Sequence, residues 1–232
     1  MSESKVVSVS LFGRDKKYLD GAVRLADSVS ENLPNWSLVF FVGKSVPEET
    51  IKNLVSRNSR IVRVDGHENL SATAWRFRLH ELSNPKWVLF RDSDSIVSER
   101  EANAIGQWVD SEMDAHIIRD HPFHAAKILA GLWGLMPESV PWFRQAVEAY
   151  SFTEKYGSDQ DFLASKVYPR LRDSSMIHAS FHRHECPKRI MKFQIGSDRF
   201  GNFCGESITA AFRVRVYARF RRLIDPKACK CR

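Results

Sequence analysis

The sequence predicts an α/β protein built on a Rossmann-like, nucleotide-binding parallel sheet flanked by helices, and three observations carry that expectation. Apolar runs of strand length alternate with segments of helical period over residues 6–90. The apolar run 87–90 stops abruptly at Arg91-Asp92-Ser93-Asp94. A chain of 232 residues with 43% hydrophobic content can bury one large core, so a single catalytic-size domain is expected.

Each element has a local reason. Residues 6–12, valine-rich with Leu11 and Phe12 and ended by Gly13, read as a first strand. Leu19, Ala22, Val23, Ala26 and Val29 recur at helical spacing and predict a helix over 18–32. Ser37–Val42 reads as a second strand, Pro47-Glu48-Glu49 opens a second helix, and 61–64 reads as a third strand. Arg76 and Arg78 fall in a predicted helix before the strand that starts at Trp87. This βα rhythm is that of a parallel sheet. Neither GxGxxG nor GxxxxGK[ST] is present, so a diphosphate would be held mainly by side chains and a metal.

The acid pair at the end of the 87–90 run is the sharpest signal. Ligands of open α/β sheets bind beyond the carboxyl ends of the strands. Side chains alternate along a strand, so Asp92 and Asp94 can converge on one hard divalent cation. Mg2+ or Mn2+ suits two carboxylates that share the ion with phosphate oxygens. The competing reading is a solvated Asp/Ser turn capping the next helix.

With those residues in view, the chain resembles the GT-A class of nucleotide-sugar glycosyltransferases, whose DxD acids hold the cation against the donor diphosphate. Ser158-Asp159-Gln160-Asp161-Phe162-Leu163 is similar to the DQD motif of the glycogenin and lipooligosaccharide galactosyltransferase family, and Ile177-His178 is placed as that family places its third metal ligand. The stretches 119–124, 131–134 and 193–196 resemble those of bacterial GT-A proteins that accompany polysaccharide genes. The resemblance spans roughly residues 5–208 and departs from the glycogenin pattern in lacking an HxxGxxKPW ending. It implies metal ligands Asp92, Asp94 and His178, and catalytic residues Asp159, Gln160 and Asp161. It further implies a substrate-binding set of Phe12, Arg76, Arg91, Asp92, His121, Gly131 and Trp133.

Each candidate has a plainer reading. Asp159 and Asp161 would serve as helix-end electrostatics in a helix capped by Ser158. Arg76 would lie on a solvated face, and Trp133 in the core. His121 and His124 have HxxH spacing, but Pro122 argues for a turn and against a helical zinc site. His182 and His184 read as polar surface or acceptor-side residues.

Charge is distributed very unevenly. From Thr209 onward there are eight basic residues and one acid, Asp225, so the whole formal excess of +7 lies in that tail. Phe212, Val216, Phe220, Leu223 and Ile224 fall on one side of a helix there, which suits an anionic membrane surface or a helix packed on the domain. Residues 1–208 are therefore expected as the GT-A domain and 209–232 as a basic amphipathic tail. The apolar runs fall far short of the roughly 20 residues that span a bilayer. Cys186, Cys204, Cys229 and Cys231 show neither zinc spacing nor a secreted disulfide framework, and no signal peptide precedes Val6. A cytoplasmic protein, peripheral at the cytoplasmic membrane face, is the expectation.

The function expected is metal-dependent transfer of a sugar from a nucleoside diphosphate donor, UDP above all, to a hydroxyl of a surface glycan or glycolipid; nucleic acid is not an expected partner. Two alternatives come from other classes. Asp92-Ser93-Asp94-Ser95 also resembles the first motif of haloacid-dehalogenase-like phosphatases, and a catalytically silent GT-A-like module docking through its tail would keep the fold alone.

Overall fold

The computed structural model describes residues 4–181, 184–196 and 203–207. The tail expected over 209–232, and His182, lie outside the described residues. Eight strands among the described residues form one sheet in the order β3-β2-β1-β4-β6-β5-β7-β8. They are β1 (Lys5–Leu11), β2 (Ser37–Val42), β3 (Arg60–Arg63), β4 (Trp87–Arg91), β5 (Ala115–Arg119), β6 (Leu132–Leu135), β7 (Ser175–Ala179) and β8 (Ile190–Met191). The helices that matter for the site are α1 (Lys16–Asn32), α2 (Glu48–Val55), α3 (Glu99–Val109), α4 (Trp142–Glu148) and α5 (Ser158–Phe162).

The β1–β4 half is parallel throughout, as the rhythm of the sequence predicts. The second half corrects an all-parallel sheet, because β6 runs antiparallel to both β4 and β5. The chain turns back after β5 and enters between β4 and β5, which point the same way, so that β6 opposes both.

Alternating side chains of the central strands feed two cores. Val6, Phe41, Phe90 and Trp133 pack with Phe77, Phe143 and Phe162 on one face. Val7, Val9, Phe40 and Leu89 pack against α1, α2 and α3 through Leu25, Leu54 and Trp108 on the other. A sheet covered on both faces reads as continuous apolar runs, which explains why 38–42 shows no alternation.

Two local features aim the strand ends at the site. Ser8 and Ser10 of β1 are buried among apolar neighbours, where a lone hydroxyl is costly unless bonded. The Ser8 hydroxyl donates to the Arg76 carbonyl at 2.7 Å, and Ser10 Oγ donates to Thr73 O at 2.9 Å and accepts the Arg76 amide at 2.8 Å. These bonds lash the segment Leu70–Phe77 across β1 as a 3-10 helix, with Arg78 just beyond it. On the opposite side, a Cβ on Gly21 would stand 2.7 Å from both Asp94 Cα and the Ser93 carbonyl, so glycine lets α1 lie directly against the acidic turn.

Candidate functional site

A cavity of about 660 Å³ opens at the carboxyl ends of β1 and β4, the place where open α/β sheets bind ligands. Its wall carries Phe12, Arg14, Lys17, Glu68, Arg76, Asp92, Asp94, Gly131, Asp159 and Gln160.

Arg76 is the hub of that wall. Its side chain is only 3% exposed, and its fork reaches Asp92 Oδ1 at 2.5 Å and Asp159 Oδ2 at 2.9 Å. Nε donates to Thr73 O and Nη1 also donates to the Arg91 carbonyl, so all three guanidinium nitrogens are engaged. The solvated-face alternative for Arg76 is thereby overturned. A planar fork is suited to bridging two carboxylates in this manner. It joins the acid at the end of β4 to the acid on α5, 67 positions apart in the chain.

Asp92 lies in a turn just past β4 with its side chain 53% exposed, the open side being the cavity. Its packed position opposes charge, but the Arg76 guanidinium more than offsets this and holds the Asp92 carboxyl below its usual range. Gly131 faces it so closely that a Cβ there would stand 2.1 Å from Asp92 Oδ2.

Asp94 turns toward α1. Its Oδ2 lies 2.7 Å from Lys17 Nζ and accepts the Ser207 hydroxyl at 2.9 Å. Residues 203–207 run beside the turn, with the Ile96 amide donating to Glu206 O and Ser95 bridging to Ser207. Behind the turn, Arg91 is 1% exposed and paired with buried Glu101 at 2.8 Å, and it donates to Ser95 Oγ and Ile96 O. Arg91 is therefore a brace for the acidic turn and does not line the cavity, which corrects its expected role as a substrate contact.

The helix α5 begins at Gly157, which takes the left-handed φ of 82° as N-cap; Ser158, expected in that place, is the first helical residue and its hydroxyl accepts the Thr153 amide. Both acids do lie in the first turn. Asp159 is 8% exposed and lines the cavity, with Oδ1 accepting the Gln160 amide and Oδ2 taken by Arg76. Asp161, 57% exposed, faces outward to Lys155 at 3.1 Å and does not line it.

Three further candidates sit elsewhere. His178 is fully buried on β7, its Nδ1 2.9 Å from Nε2 of His116; burial, with Arg100 nearby, pushes its pKa down to about 4. It does not line the cavity, and among the described residues no group of three His, Cys, Asp or Glu side chains is placed to hold a metal. Trp133 stacks on Phe90 at 4.6 Å between centroids and belongs to the core. His121 is buried in the turn that Pro122 predicts, and His124 takes the lining position instead, its pKa pushed down to about 3 by burial and by His121. Phe12, Gly131 and Gln160 line the cavity.

Several lining residues escaped the sequence reading. Arg14, Asp15 and Lys17 follow the strand-ending Gly13, and Asp15 caps α1 by accepting the Lys17 amide at 2.9 Å. A charged run directly after a first strand was the available signal. Glu68 left none: its carboxylate accepts the amides of Gly13 and Ser45 and the Ser45 hydroxyl, partners supplied by two other strand ends. Desolvation resists its charge, and the bonds from Ser45 and Gly13 prevail, holding the carboxyl below its usual range.

The residues fit a divalent cation of one kind only. Two carboxylates on one rim match an ion that keeps one or two protein ligands and completes its shell with substrate phosphates, and they do not make an all-protein cage.

No family model matches the chain, and no curated protein sequence matches it. Solved structures do. A glycosyltransferase involved in glycosylation of the major capsid of PBCV-1 is similar with a TM-score of 0.51 at 12% identity, covering 91% of this chain and 99% of that one. Glucosyl-3-phosphoglycerate synthase from Mycobacterium tuberculosis, in complex with Mn2+ and UDP-glucose, is similar with a TM-score of 0.51 at 17% identity, covering 79% and 73%. The same enzyme with Mn2+, UDP-glucose and glycerol 3-phosphate matches equally, with 79% and 74% covered. The fold is thus that of GT-A nucleotide-sugar glycosyltransferases.

Proposed function

We propose that this chain is a glycosyltransferase that moves a sugar from a UDP-linked donor to a hydroxyl of a glycan or glycolipid, with Mn2+ or Mg2+ at Asp92 and Asp94. The observation that carries this reading is the Asp92–Arg76–Asp159 bridge, which unites the DSD turn and the DQD helix on one wall of a cavity at the strand ends. The structural likeness to enzymes solved with Mn2+ and UDP-glucose supports it.

The cation, held by Asp92 and Asp94, would neutralise charge on the departing diphosphate. The chain's own residues do the rest. Arg76 holds Asp92 and Asp159 in register on that one wall, so both carboxylates are oriented before the donor enters. Gln160 offers an uncharged hydrogen-bonding side chain beside Asp159. Tyr18, Leu70 and Tyr156 line the cavity and are exposed, with Tyr156 83% open, and such a rim suits the apolar faces of sugar rings. A glycolipid acceptor would agree with a protein held at the cytoplasmic membrane face by the basic tail of 209–232, which we include in the proposal on sequence alone.

A nucleotide-sugar panel read by thermal shift with Mn2+ tests the reading, since a ligand that binds the folded state raises apparent stability. UDP and one UDP-sugar should raise the melting temperature only with the metal. Asp94→Asn, which removes a ligand at near-constant volume, should weaken Mn2+-dependent UDP binding by tenfold or more in calorimetry, an order-of-magnitude expectation. Unchanged affinity would remove Asp94 from the site. Release of inorganic phosphate from a phosphomonoester without transfer would favour the phosphatase alternative.

A further inference from the structure

The two acids of the DSD turn are each paired with a cation of the chain itself, and the two cations differ in freedom. Arg76 is enclosed, with every nitrogen engaged, and cannot leave Asp92 without stranding Asp159. Lys17 is different. Its side chain is about one-third exposed, 36%, and lines the cavity from the first turn of α1. Its ammonium meets Asp94 Oδ2 at 2.7 Å and otherwise lies over the Tyr18 ring at 4.9 Å. Lysine is a point charge on a flexible four-carbon stem, able to trade one oxygen for another at little cost.

Its partner does not share that freedom. Asp94 is held by the Ser207 hydroxyl on the same oxygen, by the Ser95–Ser207 bridge next to it, and by the close seat of Gly21 against its own Cα. A fixed carboxylate faces a movable ammonium, and both front a cavity whose ligand, on the function proposed above, carries a diphosphate.

We propose that Lys17 is a displaceable internal cation: with the cavity empty it neutralises Asp94, and with donor bound it releases Asp94 to the divalent ion and takes a diphosphate oxygen. A metal ion arriving alone must expel the ammonium from its 2.7 Å contact and leave it only the longer-range attraction of Asp15 and Asp92. Arriving with the nucleotide it meets no such opposition, because the displaced ammonium gains a phosphate partner. Lys17 therefore couples the two ligands, each tightening the other by the same factor. The proposal rests on the assignment of the cavity to a metal–nucleotide donor.

The test is calorimetric titration of the full chain with Mn2+ alone, and with UDP in the absence and presence of Mn2+, for wild type, Lys17→Met and Lys17→Gln. Both substitutions keep stem length on a partly exposed helical position, and circular dichroism checks that each folds. For a partly exposed pair the expected change is about two- to fivefold. Loss of Lys17 should tighten Mn2+ alone by that factor and weaken UDP in saturating Mn2+ by a similar one. Lys17→Arg, which keeps the charge, should restore UDP affinity. A role in helix packing alone would move both ligands in one direction or neither.

Mn2+ affinity unchanged or weakened in both neutral variants would overturn the proposal while leaving the assignment of the cavity standing, provided wild type binds UDP with Mn2+. Wild type that binds neither would overturn both.

Discussion

Asp92 and Asp94 stand two residues apart in a turn, and Asp159 and Asp161 stand two residues apart in the first turn of a helix. The first pair both reach the cavity, since a turn leaves each carboxylate free to follow its own partner, Arg76 for one and Lys17 for the other. The second pair is divided. A helix advances 3.6 residues per turn, so positions i and i+2 diverge by about 200° around its axis. Asp159 meets Arg76 inside while Asp161 meets Lys155 in solvent. The same two-residue spacing therefore carries different chemical weight depending on the element that bears it.

The hub that links the two motifs gives the largest expected effect. Arg76→Met removes the shared cation and leaves Asp159 buried with a charge and only the Gln160 amide as a partner. Breaking a buried ion pair costs about 3–5 kcal/mol, and the lower end applies because Asp92 is half open to the cavity. Thermal melting should show a fall of roughly 6–12 °C for a chain of this length. A melting temperature within a degree of wild type would mean that the bridge does not organise the site.

This hub marks where legibility in the sequence ended. The strands 6–12, 37–42 and 87–90 and helix 18–32 were readable because apolar period and length leave little choice for such segments. The acidic turn was readable for the same reason, as it ends a buried strand. The sequence points to Arg76 as a ligand contact, but its bridging of Asp92 and Asp159 depends on Ser8 and Ser10 drawing the 3-10 segment across β1, an arrangement that no local pattern encodes. His178 and Trp133 mislead in the opposite direction, because a polar or aromatic residue in a short strand carries no mark of which face it takes. Here both face the interior, against His116 and Phe90.

A smaller effect probes the cavity face of Asp92. Gly131→Ala introduces a methyl group 2.1 Å from Asp92 Oδ2, so the carboxylate must turn away while Arg76 still holds its other oxygen. A misplacement on the ångström scale near reacting groups costs on the order of 100-fold in kcat/KM. The melting temperature should move far less than for Arg76→Met, because the half-open Asp92 can rotate toward the cavity. Steady-state kinetics and a melt on the same preparation separate the two. Full activity in Gly131→Ala would show that the position of Asp92 is not critical.

The smallest expected effect divides the helix pair itself. Asp161→Asn removes a charge that is 57% exposed and paired only with an exposed lysine, Lys155. Exposed pairs of this kind contribute about 0–1 kcal/mol, so stability should fall by no more than about 1 kcal/mol, and kcat should stay close to wild type because Asp161 does not line the cavity. Asp159→Asn is isosteric yet withdraws half of the charge on which the Arg76 fork closes, and kcat should fall on the order of 100-fold while UDP affinity with Mn2+ stays nearly intact. The inequality between the two variants is the measurement that matters. Equal losses would mean that the donor-bound helix turns and brings Asp161 into the cavity, and equal retention would remove the whole DQD motif from the chemistry and leave Asp159 as a strut for Arg76.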